Sequence, residues 1–146
     1  MKLIIALFFI TITGFASEKV IYGEDNRENP ADASPLMREV ALSTAAMIQP
    51  VYIHSTGEEA TISATTLAGR GICQDARFAQ QITAAVCSGF LVGPDLLVTA
   101  GHCITHKEDC KKYQWVFDYA DNSRGEKAIT IPSSSIYSCK KILKSI

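Results

Sequence analysis

Short apolar segments separated by turn residues recur along the chain from residue 51 onwards. The segment at 60–66 alternates apolar and polar positions, as half-buried strands do. Turn-forming residues cluster in the gaps, for example at Gly93-Pro94-Asp95. Many short strands joined by turns predict an all-β barrel or sandwich. The predicted strands are 51–54, 60–66, 86–92, 96–100, 113–119, 128–131 and 136–142.

One stretch near residue 35 has helical periodicity instead. Ser34 is able to cap the first free N–H groups of a helix, and Pro35 is tolerated at the first helical position. Pro50 is expected to end the helix, because the residue before a proline is pushed away from helical backbone angles. We predict that an apolar face of this helix packs against the barrel. That face comprises Leu36, Met37, Val40, Ala41, Thr44, Met47 and Ile48.

The first 16 residues have the layout of a secretory signal peptide. Lys2 precedes the apolar run 3–10, and the small residues Gly14 and Ala16 suit a cleavage site after Ala16. A membrane anchor is the alternative, but a membrane-spanning helix needs about 20 apolar residues and polar threonines interrupt this run. The protein is therefore expected to be secreted or periplasmic, without membrane attachment after cleavage.

Composition agrees with an exported globular protein. The formal net charge of −1 gives no indication of a nucleic acid or an anionic membrane as partner. Five cysteines are many for a cytosolic chain and ordinary for a protein that matures in an oxidising compartment. Because their number is odd, at least one thiol is free, pairs with another chain, or has lost its partner.

The stretch from Cys87 to Cys103 carries the candidate chemistry. Two apolar strands joined by the turn at 93–95 place His102 at the end of the second strand, directly beside Cys103. A general base must keep its position relative to the reacting atoms. A histidine at a strand end, next to a cysteine that can be tied back to the preceding strand, suits that role.

The Ser-Gly-Phe-Leu-Val run at 88–92 and the Leu-Val-Thr-Ala-Gly-His-Cys run at 97–103 resemble the histidine region of trypsin-like serine proteases. The resemblance is strongest to the bacterial glutamyl-endopeptidase-like proteins. It implies the first β-barrel of a two-barrel fold, with protein or peptide substrates and with no cofactor or metal. It also implies that His102 is the general base and that Cys87 pairs with Cys103.

The expected disulfides account for four of the five cysteines. The bridge between Cys87 and Cys103 would close a loop of about 17 residues and add roughly 3 kcal/mol to stability through loop entropy. Cys110 and Cys139 are the second expected pair. Cys73 then has no partner within the chain.

Two of the three parts of serine-protease chemistry are not visible. That chemistry needs an attacking serine, a histidine that takes its proton, and a carboxylate that orients the histidine. In the family the carboxylate lies in Asp-x-Ala before an apolar strand and the serine lies in Gly-Asp-Ser-Gly, and neither pattern is found here. Ser88 belongs to the hairpin, and none of Asp109, Asp118 and Asp121 is assigned as the carboxylate. We therefore expect an inactive N-terminal half of a protease, whose C-terminal barrel is missing.

This interpretation divides the chain into three parts. They are the signal peptide at 1–16, an N-terminal arm and helix at 17–50, and a partial trypsin-like barrel at 51–146. The arm resembles the start of the mature chain in glutamyl-endopeptidase-like proteins, and this resemblance implies a processing point at Val20. The alternative, which composition alone favours, is a solvated N-terminal arm without processing there.

Two other functions stay open. His102 and His106 are four residues apart and lie near Cys103, Glu108 and Cys110, so a helical turn could present them to zinc. We favour a disulfide for Cys103 and an exposed surface position for His106. The second alternative is a non-catalytic secreted binding module built on a protease-like barrel, which the absence of the serine and aspartate motifs favours.

Overall fold

A computed structural model describes residues 23–120 and 128–143 of the chain. The expected signal peptide at 1–16, the expected processing point at Val20 and the carboxyl group of Asp121 lie outside these residues. Within the described ranges, no helix is both long enough and apolar enough to cross a membrane.

The described residues form short strands with few helices, so the predicted all-β class is confirmed. The strands are β1 (Thr44–Ile48), β2 (Ile53–Thr56), β3 (Glu59–Ser63), β4 (Ala85–Gly93), β5 (Leu96–Thr99), β6 (Gln114–Val116), β7 (Ala128–Pro132) and β8 (Ile136–Ser138). The α-helices are α1 (Pro35–Leu42) and α2 (Asp109–Lys112). Single turns of 3₁₀ helix lie at Pro50–Tyr52, Ala68–Arg70, Gly101–Cys103 and Ser133–Ser135.

The strands form two antiparallel sheets that curl into a half-barrel. The larger sheet has the strand order β5-β4-β1-β6-β8, and the smaller sheet has the order β2-β3-β7. β1 is the central strand of the larger sheet, with β4 on one edge and β6 on the other. The hairpin formed by β4 and β5, which carries the candidate site, therefore joins the sheet through β1.

β1 is buried on both of its faces because it is a central strand. Ala46 and Ile48 belong to a core that is shared with buried residues of β3 and β7. Ala45 and Met47 point to the opposite face, where they pack with Trp115. Successive side chains of a strand alternate between its faces, so a strand covered on both sides needs apolar residues at consecutive positions.

The prediction of a helix that runs to Pro50 is wrong in its second half. The helix begins as expected, since the Ser34 hydroxyl oxygen accepts a hydrogen bond from the Met37 N–H at 3.3 Å. It ends at Leu42, and residues 44–48 form β1 instead. A short continuous apolar run fits a buried strand as well as a helix, and here pairing with β4 and β6 stabilises the strand.

The predicted packing of the helix against the barrel is also wrong. None of the α1 residues is buried. Leu36 and Val40 are 68% and 56% exposed, whereas Met47, which helical spacing put on the same face, belongs to β1 and is 1% exposed. The apolar residues before residue 43 therefore belong to a helix, and those after it belong to a strand. A single helical periodicity does not describe both segments.

The two predicted hairpins are present. β2 and β3 are joined by a two-residue turn whose first residue, Gly57, has a φ of 77°. Glycine adopts this left-handed conformation without steric cost. β4 and β5 are joined through Pro94 and Asp95, and Leu91 pairs with Leu97 across the hairpin.

Several predicted strands differ from the observed ones in their bounds. The strand predicted at 51–54 lies at Ile53–Thr56, and the strand predicted at 60–66 ends at Ser63. The strand predicted at 113–119 ends at Val116, and Asp118 has a φ of 57°. Aspartate tolerates this left-handed conformation, which interrupts extended backbone. The strand predicted at 136–142 ends at Ser138.

Gly89 lies where β4 passes close to β5 and to Trp115. A Cβ atom at this position would lie 2.5 Å from Leu97 Cδ2, 2.9 Å from the Val98 carbonyl oxygen and 3.0 Å from Trp115 Cζ3. Contacts of this length are too short for carbon atoms, and the carbonyl oxygen belongs to the backbone of β5. A side chain at residue 89 would therefore displace the strand that leads to His102.

We expect Gly89→Ala to lower the free energy of unfolding by about 1–3 kcal/mol, the usual cost of overpacking a core. Gly93→Ala is the matched control, because it lies on the same strand and its new Cβ would meet Leu96 Cβ at an ordinary 3.5 Å. Urea unfolding followed by circular dichroism measures both variants. Equal midpoints for Gly89→Ala and the unmodified chain would contradict the prediction.

Candidate functional site

His102 lies in the 3₁₀ turn that follows β5. The end of β5 is tied to β4 by Thr99, whose Oγ1 donates a hydrogen bond to the Ser88 carbonyl oxygen at 2.7 Å. The Cys103 N–H donates to the Ala100 carbonyl oxygen at 2.9 Å and closes the turn. His102 itself is exposed. The backbone is thus held on both sides of an imidazole that solvent can reach.

A disulfide anchors the residue after His102. Cys87 of β4 and Cys103 are bonded, with their Cα atoms 6.0 Å apart, and both pack against the cluster of Met47 and Trp115. The two sulfur atoms and a ring nitrogen of His102 lie within 4.8 Å of one another. The imidazole therefore lies beside the disulfide. The disulfide limits the movement of the backbone at His102.

A second disulfide joins α2 to the segment that follows β8. Cys110 and Cys139 are bonded, with their Cα atoms 5.1 Å apart. Cys73 is exposed and has a free thiol. The two bonds join the same cysteines that were paired from the sequence.

The zinc alternative loses two of its ligands in this arrangement. Cys103 and Cys110 are both in disulfides, and a metal ion binds cysteine as the thiolate. Among the described residues, His102 and the sulfurs of Cys87 and Cys103 are close enough to share a metal ion. The same objection applies to that group, because its two sulfurs are bonded to each other.

Asp109 is buried, and four donors surround its carboxylate. Oδ2 accepts hydrogen bonds from the Thr105 N–H at 3.0 Å, the Thr105 hydroxyl at 3.2 Å and the His106 N–H at 2.9 Å. Oδ1 accepts one from the Lys112 ammonium at 3.0 Å. The His106 N–H and the Lys112 ammonium hold the pKa of Asp109 well below its usual range. This carboxylate stabilises the loop after His102 and is not free to orient the imidazole.

Asp118 is also engaged elsewhere, since its Oδ2 accepts a hydrogen bond from the Ser135 hydroxyl at 2.6 Å. The tripeptide at 118–120 reads Asp-Tyr-Ala, but polar residues follow it instead of an apolar strand. Within residues 23–120 and 128–143, no carboxylate oxygen accepts a hydrogen bond from the His102 ring.

Ser88 is a residue of the β4 ladder and not a candidate nucleophile. It pairs with Ala46 of β1, and its carbonyl oxygen accepts the hydrogen bond from Thr99. The sequence contains no Gly-Asp-Ser-Gly motif. The described residues therefore supply an exposed imidazole, His102, to which no described carboxylate is hydrogen-bonded.

The N-terminal arm contacts the loop that contains Arg77 and Phe78. The sequence did not predict this contact. Two side-chain hydrogen bonds of 2.8 Å join Arg27 to Asp25, and Arg77 donates to the Asp25 backbone carbonyl. The guanidinium groups of Arg27 and Arg77 lie 5.2 and 5.0 Å from the ring centre of Phe78. The Arg27 side chain also holds the pKa of Asp25 well below its usual range. Residues of these types are usual on solvated surfaces, so sequence alone gives no signal of this contact.

Comparison with known proteins adds one finding. A protein-family model described as trypsin matches residues 43–142, about two thirds of the chain. The matched segment begins one residue before β1 and contains His102 and both disulfides. Neither the curated proteins nor the solved structures gave a significant match.

The Cys87→Ala/Cys103→Ala variant should lose about 3 kcal/mol of unfolding free energy, because the bond closes a loop over a sequence separation of 16 residues. Urea unfolding measures this loss. The Cys110→Ala/Cys139→Ala variant is the control, with a similar expected loss for its separation of 29 residues. Amide hydrogen exchange at residues 101–103 should accelerate in the first variant more than in the second. Equal exchange in the two variants would contradict a specific role of the first bond at His102.

Asp109→Asn should lower Tm at neutral pH, and this difference should shrink in acid. The folded chain holds the pKa of Asp109 below the ordinary value of 3.8, so the ionised carboxylate stabilises the fold above about pH 4. The contribution is lost as the pH falls below that value, because the unfolded chain then binds a proton first. Thermal unfolding between pH 7 and pH 2 checks the prediction. Asp75→Asn, a change at an exposed loop carboxylate, is the control. A decrease in the Tm of Asp109→Asn that is the same at every pH would contradict the prediction.

Proposed function

The chain belongs to the trypsin family, and from this premise we propose that it takes part in serine-type hydrolysis of peptide bonds with His102 as the general base. In this chemistry the imidazole takes the proton of an attacking serine and later gives it to the leaving amine. The substrate is a protein or peptide, and the reaction needs no cofactor.

The placement of His102 is the observation that carries the proposal. A general base must reach the substrate and must also stay within hydrogen-bond distance of the group it deprotonates. His102 is exposed, and its backbone is fixed by the Thr99 hydrogen bond and by the disulfide at Cys103. Both requirements are therefore supported by the geometry of the described residues.

The nucleophile and the orienting carboxylate belong, in our proposal, to a C-terminal barrel outside these 146 residues. The chain would then be the N-terminal half of a protease and inactive by itself. The absence of a Gly-Asp-Ser-Gly motif supports this proposal, and so do the occupied carboxylates of Asp109 and Asp118. The hairpin next to His102 also exposes apolar side chains that a second barrel would cover, namely Phe90, Val92, Leu96 and Val98.

Two finer parts of the proposal rest on other observations. Assignment to the glutamyl-endopeptidase-like group rests on the sequence resemblance around His102 and in the N-terminal arm. A secreted or periplasmic location is supported by the two disulfides, which persist in oxidising compartments, and by the signal-like sequence at 1–16.

A non-catalytic secreted binding module is the second candidate function. The specific observation in its favour is that Asp109 and Asp118, the described aspartates that follow His102 in the chain, make structural contacts. A module of this kind would keep the barrel and its disulfides without needing the remaining catalytic groups.

Labelling with a fluorophosphonate, which reacts with activated serines, tests the inactive-half proposal. We expect neither labelling nor casein hydrolysis by the purified 146-residue chain. Loss of the catalytic groups that act as a unit lowers acyl transfer by about a million-fold. Trypsin labelled in parallel is the positive control. Stoichiometric labelling of this chain would contradict the proposal.

The DNA beyond the Ile146 codon separates the two candidate functions. A continuation in any frame that encodes Asp-x-Ala and Gly-Asp-Ser-Gly would support a protease half. In the joined product, His102→Ala should then reduce kcat by a factor of about 10⁴ or more. Absence of such a continuation would favour the binding module.

A further inference from the structure

A cleft of about 490 Å³ lies around the Cys110–Cys139 disulfide, between the loop that follows His102 and the segment that follows β8. We propose that this cleft, here called the lysine cleft, binds acidic peptide segments. Apolar side chains of Ile104, Ile142 and Leu143 form part of its wall. Its lysines are Lys107, Lys111, Lys140 and Lys141, and His106 also lines it.

The disulfide explains why like charges gather in the lysine cleft. Lysine ammonium groups repel one another, so a group of them needs a structural cause. Lys111 follows Cys110 and Lys140 follows Cys139, and the Cα atoms of the bonded cysteines are 5.1 Å apart. The covalent bond therefore brings together two lysine-bearing segments that are separated by 29 residues in the sequence.

The lysines of the lysine cleft form no ion pair with a carboxylate of the described residues. The ion pairs among those residues join Asp25 to Arg27 and to Arg77, and Asp109 to Lys112, which does not line the cleft. The lining also contains no acidic side chain. The cleft is thus a local region of positive charge in a chain whose formal net charge is −1.

The lining favours a peptide over other anionic partners. Single-stranded nucleic acids stack their bases on aromatic side chains, and no described Phe, Tyr or Trp lines the cleft. A membrane attracts clustered basic residues at an open surface, whereas these lysines border a concavity together with the aliphatic Ile104 and Ile142. A peptide that alternates acidic and apolar side chains complements both kinds of lining group.

The lysine cleft begins close to the candidate catalytic residue. Ile104 is two residues after His102, so their backbones are at most about 7 Å apart. A peptide in the cleft would therefore run near the exposed imidazole. Binding does not require that His102 be catalytic, so this proposal and the proposed function can fail independently.

Fluorescence anisotropy with a labelled peptide of alternating Glu and Leu tests the proposal on the intact, oxidised chain. We expect the peptide to bind at 50 mM NaCl about tenfold or more tightly than the matched peptide with Gln in place of Glu. Raising NaCl to 300 mM should weaken binding, because salt screens exposed charges. Lys141→Glu should weaken binding about tenfold, while Arg38→Glu, the same charge reversal on α1, should leave it unchanged.

Three outcomes would overturn the proposal. The first is equal affinity for the Glu and Gln peptides, and the second is an equal effect of Lys141→Glu and Arg38→Glu. The third is tighter binding to phosphatidylserine vesicles or to single-stranded DNA than to the Glu peptide. Lys107→Glu provides a second variant from the other segment that lines the cleft, and near-ultraviolet circular dichroism verifies that each variant is folded.

Discussion

The structure depends on the burial of β1 between two hydrophobic clusters. Met47 and Ile48 are consecutive residues, yet they are 1% and 0% exposed, because one packs with Trp115 and the other with the core of the smaller sheet. The strand also pairs with β4 on one edge and with β6 on the other. The hairpin that carries His102 is linked to the rest of the sheet by this pairing. The position of the imidazole therefore follows from the packing of a strand more than 50 residues earlier in the chain.

The two faces of the larger sheet are stabilised in different ways. The face toward the smaller sheet has a continuous aliphatic core from β1, β3, β6 and β7. On the opposite face, the buried cluster consists of Ala45, Met47 and Trp115, with Cys87, Cys103 and Cys139 packed around it. This cluster has only three buried residues, and the disulfides add cross-links beside it. His102 lies beside one of these cross-links, and the lysine cleft surrounds the other.

Sequence reasoning identified the features that are local in the chain. The hairpin that leads to His102 and the turn at Gly57 follow from short-range alternation and turn residues, and both are present. The segment at 44–48 could not be assigned in this way, because its strand conformation comes from partners that are distant in sequence. The burial of Asp109 was also beyond prediction. An aspartate in a polar segment is usually exposed, and here α2, fastened by the Cys110 disulfide, places it beneath the loop that it stabilises.

The described aspartates that follow His102 in the chain make hydrogen bonds that stabilise the fold, and none of these bonds is to His102. Asp109 holds the loop after His102, and Asp118 binds the hydroxyl of Ser135 next to β8. Turning either carboxylate toward His102 would break these hydrogen bonds, and for Asp118 it would leave the buried Ser135 hydroxyl without its acceptor, which is costly. A partner that brings its own carboxylate and serine could complete the site without disturbing the fold. In the function proposed above, the orienting carboxylate and the serine come from another part of a protein, so the described carboxylates of this region can serve stability alone.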